Sequence, residues 1–393
     1  MISPPTRSLW SCLLLGALGC GSNGFAGPLD VRPYVEYGAA HNDNLLAVPD
    51  SQARSDTVHE TALGTLVEWP VANQRVIASG RVSRLRYQRF DELDHDEYEA
   101  RARWEFRFGR VVYGSAGYRR QRYLDDFDNR QQAVTDFIDV SEPSLETYVQ
   151  VHPDWRIRTL VSHLKLDHSL ASQTRFNREE TLASAELQYQ GVESSLFGIG
   201  GEVIDGRFPG RSGDDPLAES FTQNSLFATF DWKYSGISRL RGRLGYTGRD
   251  STGGSDRDFD GVTGRLAYIR TLSAKTTLTG EAFRAIYSVD DVDANFVRDT
   301  GVLLSLNWEY SPKLAIIASA GRREQNYQAL AADASRRDTI DELTAELVYQ
   351  PTREFSVAFT TAAAQRDSNL ALANYDALSA GVTFRWAFNP ERP

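Results

Sequence analysis

Two short stretches of this chain place arginines at alternate positions: Arg101, Arg103 and Arg107, then Arg239, Arg241 and Arg243. Residues two apart on an extended strand share a face, so each trio would form a row of fixed positive charge. Along a confined aqueous path such a row raises the local concentration of anions and biases which charge enters. Glu105, Asp231, Lys233 and Glu346 fall on the equivalent polar faces, and with the six arginines they are the candidate lumen or selectivity residues. The same residues have a structural use as well. Paired with Glu105, Glu186, Asp231 and Glu346 across neighbouring strands, the arginines would brace a wall.

Other chemistry is thin. Asp256-Arg257-Asp258-Phe259-Asp260-Gly261 has the first half of a calcium loop, but Ala267 stands at the twelfth position, where a bidentate Glu is needed. An acidic surface loop is the expectation there, with no metal. The sequence has no Gly-x-Ser-x-Gly elbow, no His-Glu-x-x-His and no phosphate-binding glycine loop. Ser162-His163 and His168-Ser169 are adjacent pairs, and neighbours on a strand point to opposite faces rather than converging. Neither an enzyme nor a cofactor is expected.

The elements that position these residues are long strands. In Glu97 to Phe108, Tyr98, Ala100, Ala102, Trp104, Phe106 and Phe108 take one face, and Arg101, Arg103, Glu105 and Arg107 the other. One face suits lipid and the other water. The division recurs where Leu226, Ala228, Phe230 and Trp232 oppose Thr229, Asp231 and Lys233, and where Val302, Leu304, Leu306, Trp308 and Tyr310 oppose Ser305, Asn307 and Glu309. Trp232, Tyr234, Trp308, Tyr310 and Tyr349 collect beside short turns, as amphipathic rings do at a lipid–water interface.

Tight turns at Pro70, Gly109, Pro153, Gly191, Gly236, Ser273, Pro312 and Pro351 recur every 37 to 45 residues, each interval holding two strands and one polar loop. The pattern predicts strands at 31–40, 57–69, 74–88, 97–108, 111–123, 142–151, 156–168, 178–190, 195–206, 221–234, 238–249, 258–270, 275–288, 297–310, 313–326, 339–350, 354–366 and 375–388. That is an all-β fold: a transmembrane antiparallel up-and-down barrel of about 18 strands, with both termini on the short-turn side. A propeller blade has a similar repeat length but needs four short strands, where two long ones fill this repeat.

The bulk numbers agree with such a barrel without requiring it. Mean hydropathy is −0.42, and no apolar run approaches the ~18 to 20 residues of a membrane helix. A barrel escapes that criterion because only alternate residues meet lipid. Residues 1–26 read as a signal peptide, with Arg7, the apolar stretch from Leu9 to Leu18, and small residues up to Ala26. The alternative is lipidation at Cys20 after Ala17-Leu18-Gly19. With a cut after Ala26 both cysteines leave, residues 27–393 form the barrel, and 42 basic against 53 acidic side chains give −11. An acidic export product does not suit nucleic acid.

The last strand carries Ser379, Gly381, Phe384, Trp386 and Phe388, which resembles the terminal assembly signal of outer-membrane barrels. Near the other end Asp43-Asn44-Leu45 follows the first strand. This motif and the layout of the whole mature chain resemble the EpsL-type outer-membrane proteins of exopolysaccharide biosynthesis operons and the related β-barrel porin 2 family. The resemblance implies an outer-membrane channel of a Gram-negative bacterium, associated with polysaccharide export. Expected partners are outer-membrane lipid and lipopolysaccharide, the barrel-assembly machinery, and polysaccharide with secretion-apparatus proteins. The alternatives are a general or small-solute porin, and a closed barrel scaffold that anchors secretion partners.

Overall fold

The structure is a computed structural model that describes residues 28–191, 195–212, 215–252, 258–289, 294–329 and 335–389. The signal peptide expected at 1–26, the acids Asp256 and Asp290-Asp291, and the tail beyond Asn389 lie outside the described residues.

Eighteen antiparallel strands form one sheet. They are β1 (Asp30–Asn42), β2 (Asp56–Val71), β3 (Gln74–Tyr87), β4 (His95–Phe108), β5 (Val112–Leu124) and β6 (Phe137–His152). There follow β7 (Trp155–His168), β8 (Arg178–Gln190), β9 (Leu196–Arg207), β10 (Ser220–Ser235), β11 (Ser238–Ser251) and β12 (Phe259–Ser273). The last are β13 (Thr276–Tyr287), β14 (Ala294–Ser311), β15 (Leu314–Ala329), β16 (Arg337–Tyr349), β17 (Phe355–Ser368) and β18 (Tyr375–Ala387). Each pairs with its neighbour in sequence, and β1 pairs with both β2 and β18, which closes the barrel. Closure leaves no edge strand with unpaired backbone groups, as a lipid surround demands.

Every strand expected from the alternation is present, with ends shifted by a few residues. The largest shift is in β6, which starts at Phe137 rather than 142. Pro143 is the cause of the ambiguity, since it lacks a donor and reads as a strand boundary. In the barrel it pairs in register with Tyr118, while the β6–β7 register skips from Ser141↔Lys165 to Ser144↔Ser162 beside it. The missing N–H falls in that gap.

The outer wall is apolar. Leu63, Leu145, Ile199, Leu226, Val262 and Leu304 are each about half or more exposed, a poor surface for water and a good one for acyl chains. A 13-residue strand runs ~43 Å, and a tilt of ~40° leaves ~33 Å of height, enough to cross a hydrocarbon core. Aromatic rings gather at the short-turn end: Trp104 with Phe106 and Phe108, Trp155 with Tyr189, Trp232 with Tyr234, Trp308 with Tyr310, and Phe355 with Trp386. Tyr37 and Tyr246 stand exposed toward the long-loop end and Tyr118 at mid-strand. At the short end, β2 turns into β3 through Ala72-Asn73, with Ala72 at φ 52°, the left-handed conformation that tight hairpin turns use.

Candidate functional site

The connection from β5 to β6, residues 125–136, turns into the barrel instead of out to solvent. Its composition explains this, because Phe127 and Ala133 are apolar and pack on a cluster of Leu46, Val48, Phe90 and Leu93 under the rim. Its polar tip reaches further. Arg366 of β17 donates through NH1 to the Asp128 carbonyl at 2.7 Å, and its NH2 lies 3.2 Å from the Asp128 carboxylate. Tyr375 of β18 donates to the same carboxylate at 3.4 Å, and Arg336 donates to Asn129 Oδ1 at 3.2 Å. β17 is six strands from β5 around the wall, so these bonds tie the loop across the interior.

The base of the loop is latched as firmly. Asp136, with no exposed surface, accepts from Leu170 N at 2.8 Å, Ser169 Oγ at 3.2 Å and Arg130 NH2 at 2.6 Å, and lies 2.9 Å from His168 Nδ1. Burial alone would push its carboxyl up. The bonds from His168 and Leu170 and the Arg130 charge outweigh burial and hold it at about 2. Asp125, Asp136 and His168 bring ligand atoms within 4.8 Å of one another, which is a metal-like spacing. Arg130 bonds both carboxylates and supplies the positive charge a metal would bring. Gln131 in the loop and Ala47 below it take left-handed φ, 54° and 50°, and Gln131 Nε2 bonds the Ala47 carbonyl at 2.9 Å. Non-glycine residues there carry strain of ~1 kcal/mol each, held by the surrounding bonds.

Beside the loop lies a cavity of about 360 Å³ lined by loop and lumen residues together, among them Asp126, Asp128, Arg249, Arg323 and Arg366. Its arginines are mostly paired: Arg323 with Glu342 at 3.1 Å and Asp299 at 3.7 Å, and Arg366 with Asp128 and, at 3.8 Å, Asp338.

Of the lumen residues expected from the sequence, the structure brings Arg243 to this cavity. It pairs with Glu202 at 3.0 Å and lies 3.8 Å above the Phe227 ring. The others share the inner face, several of them in neutralising pairs. Asp231 takes both Arg239 and Arg241, the latter at 3.4 Å. Glu105 takes Arg75 at 2.9 Å and Arg103 at 3.4 Å, Arg101 pairs with Glu99, and Arg107 stacks on Tyr113 at 4.8 Å. Lys233 has no ion pair among the described residues, and Glu346 Oε1 is buried without a hydrogen-bond partner. Glu186, expected to brace the wall, does so with Arg158 at 3.4 Å.

The terminal-strand residues form the closing seam. Ser379, Gly381, Phe384 and Trp386 register with Asn42, Ala40, Tyr37 and Val35, and Phe388 N donates to the Pro33 carbonyl at 2.9 Å. Asp43 Oδ1 accepts from Leu378 N at 2.7 Å. Asn44 Nδ2 donates to Val48 O at 2.7 Å and to Asp376 O at 2.9 Å, and Leu45 packs on the cluster beneath the inward loop. The short motif is thus a clasp over the β1–β18 seam.

No family model and no curated protein matches the chain in sequence. Solved structures share its overall fold. Pseudomonas aeruginosa OccK2 (OpdF) superposes with a TM-score of 0.52 at 9% identity, over 93% of this chain and 100% of that one. The outer membrane protein opdK of Pseudomonas aeruginosa gives 0.50 at 11%, over 91% and 99%. Acinetobacter baumannii OccAB3 gives 0.51 at 6%, over 92% and 99%. At these identities the likeness is one of fold, a closed barrel of the outer-membrane porin type.

The ties from Asp128 to Arg366 and from Arg249 to Ser288 escape a reading of the sequence because the two partners lie far apart in the chain. The one signal was composition, a long acidic connection that nevertheless carries Phe127, Ala133 and Val134.

Proposed function

We propose that this chain is an outer-membrane channel that passes small solutes selectively through a lumen narrowed by its own 125–136 loop. The observation that carries the reading is the tie from Asp128 to Arg366, which fixes the loop across the interior. An apolar wall with aromatic borders supports placement in a bilayer, and eighteen strands are wide enough for an aqueous path. A solved structure of the same fold, OccK2, is a complex with glucuronate, so a barrel of this shape can hold a small polar solute. The exit of a polysaccharide, expected from the EpsL-type resemblance, rests on Asp43-Asn44-Leu45, and these residues serve the seam. A tied loop suits small solutes better than a polymer. Assembly from the terminal strand, contact with lipopolysaccharide and charge bias from the lumen arginines belong to this reading.

Purified barrel in a planar bilayer tests it. Discrete openings that discriminate between small ions of opposite charge are expected, and a barrel that never conducts would leave the closed scaffold as the reading.

A further inference from the structure

Arg249 stands apart from the other arginines of the cavity. It lies on β11, 2% exposed, with its guanidinium 3.5 Å above the Phe221 ring and 5.3 Å from Phe296. Its NH2 donates to Ser288 Oγ at 3.3 Å, and among the described residues its Nε has no hydrogen-bond partner. Among the described residues no carboxylate lies within 4 Å of it. The nearby charges that act on it are one acid, Glu180, and two cations, Arg178 and Arg211. A buried guanidinium with no carboxylate in reach among the described residues is costly, and a charged group so placed in a cavity is a candidate for function.

A neighbouring part of the same cavity is apolar, which a lumen serving only water has no need of. Ile138, Val140, Leu164, Leu166, Leu182 and Ile204 come from four successive strands, β6 to β9. Register places the two chemistries on one row: Leu182 pairs with Ile204, Ile204 with Gln223, and Gln223 with Arg249. Strands lie ~4.8 Å apart, so the row sets the Arg249 backbone roughly 10 to 14 Å from the backbone of Ile204 and Leu182. A volume of about 360 Å³ falls in the range of small-molecule sites.

We propose that this cavity binds a small organic monocarboxylate with an apolar body, the carboxylate on Arg249 between Phe221 and Phe296 and the body against Leu182 and Ile204. This deepens the channel reading by naming the class of solute, and its test does not need conductance. The charge comes from the ligand, so the neutral amide of the same shape lacks what Arg249 requires, and a small inorganic anion lacks what the wall requires.

Binding of 4-butylbenzoate, 4-butylbenzamide and inorganic phosphate to the detergent-purified full barrel is measured by calorimetry. The benzoate is expected to bind at least about tenfold more tightly than the amide or phosphate, from one lost charged hydrogen-bond contact or one lost apolar contact. Arg249→Gln should remove that preference. Gln223→Glu should remove it too while keeping the barrel folded, because it gives Arg249 a cross-strand partner. Equal binding of benzoate and amide, or benzoate binding unchanged in a folded Gln223→Glu barrel, overturns the site. Binding with no conductance would sink the channel reading and leave the site standing. Conductance with no benzoate binding would do the reverse.

Discussion

The Arg366 guanidinium on β17 holds the carbonyl and the carboxylate of Asp128, a residue 238 positions earlier in the chain, at 2.7 and 3.2 Å. Arg366 is 3% exposed, so neither bond is screened by bulk water as a surface pair would be. The inward position of the loop therefore depends on a charge pair between two remote parts of the wall.

Replacing that arginine should release the loop. Arg366→Ala leaves the Asp128 carboxylate with Tyr375 and Asp338 with Arg336, at a cost of about 3 kcal/mol typical of a broken buried pair. Single-channel recordings should show larger and noisier openings than the wild type. Arg366→Lys, which cannot make the two-pronged contact, should fall between the two. Recordings indistinguishable from wild type for both variants would mean that the pair does not hold the loop.

Acid should open the latch late. The Asp136 carboxyl is held down to about 2, below its ordinary value near 4. A depressed carboxyl stabilises the fold fully above its unfolded value and loses that contribution as pH falls through the folded one. Channel behaviour set by this latch should stay flat from neutral pH down to about pH 4 and change only toward about pH 2. Asp136→Asn, recorded at neutral pH, should already behave as the acid form does. A change centred near pH 6 would point to a different group.

The clasp at the seam should matter for stability rather than for transport. Asn44, 2% exposed, makes three hydrogen bonds through its side chain, two to Val48 and one to Asp376. Asn44→Ala should cost about 2 kcal/mol through unsatisfied backbone groups, read as a lower urea midpoint of the folded band on a gel. Conductance of the molecules that remain folded should be unchanged. A shift in ion preference instead would restore the motif to a transport role.

The wall was legible because strand periodicity is local. In 97–108 and 226–232 the alternation of residue types alone separates lipid from lumen, and the aromatic residues mark the depth. Pro143 blurred one boundary because a missing donor looks the same in a turn and in a register gap. The interior was not legible. Whether Arg243 pairs with Glu202, or Arg366 with Asp128, depends on register and on a loop that folds inward, and neither leaves a periodic trace. The Asp43-Asn44-Leu45 motif was visible in sequence but carried no sign that its work is to close the barrel.

Assembly offers a separate check on the seam. Phe384 and Trp386 register with Tyr37 and Val35 and pack around Phe355. The double change Phe384→Ser and Trp386→Ser should reduce folded barrel in the outer-membrane fraction severalfold, since it removes two rings from the interface belt. Undiminished folded protein would separate these rings from any role in assembly.

The most direct measurement is the conductance of a barrel in which residues 126–134 are replaced by a short Gly-Ser linker, leaving Asp125 and Asp136 in place. If the tied loop narrows the lumen, that barrel should conduct severalfold more than the wild type and lose most of its ion preference, as a wider aqueous path would. Equal conductance and equal selectivity in the two barrels would contradict the account, because the loop would then lie outside the path that solutes take.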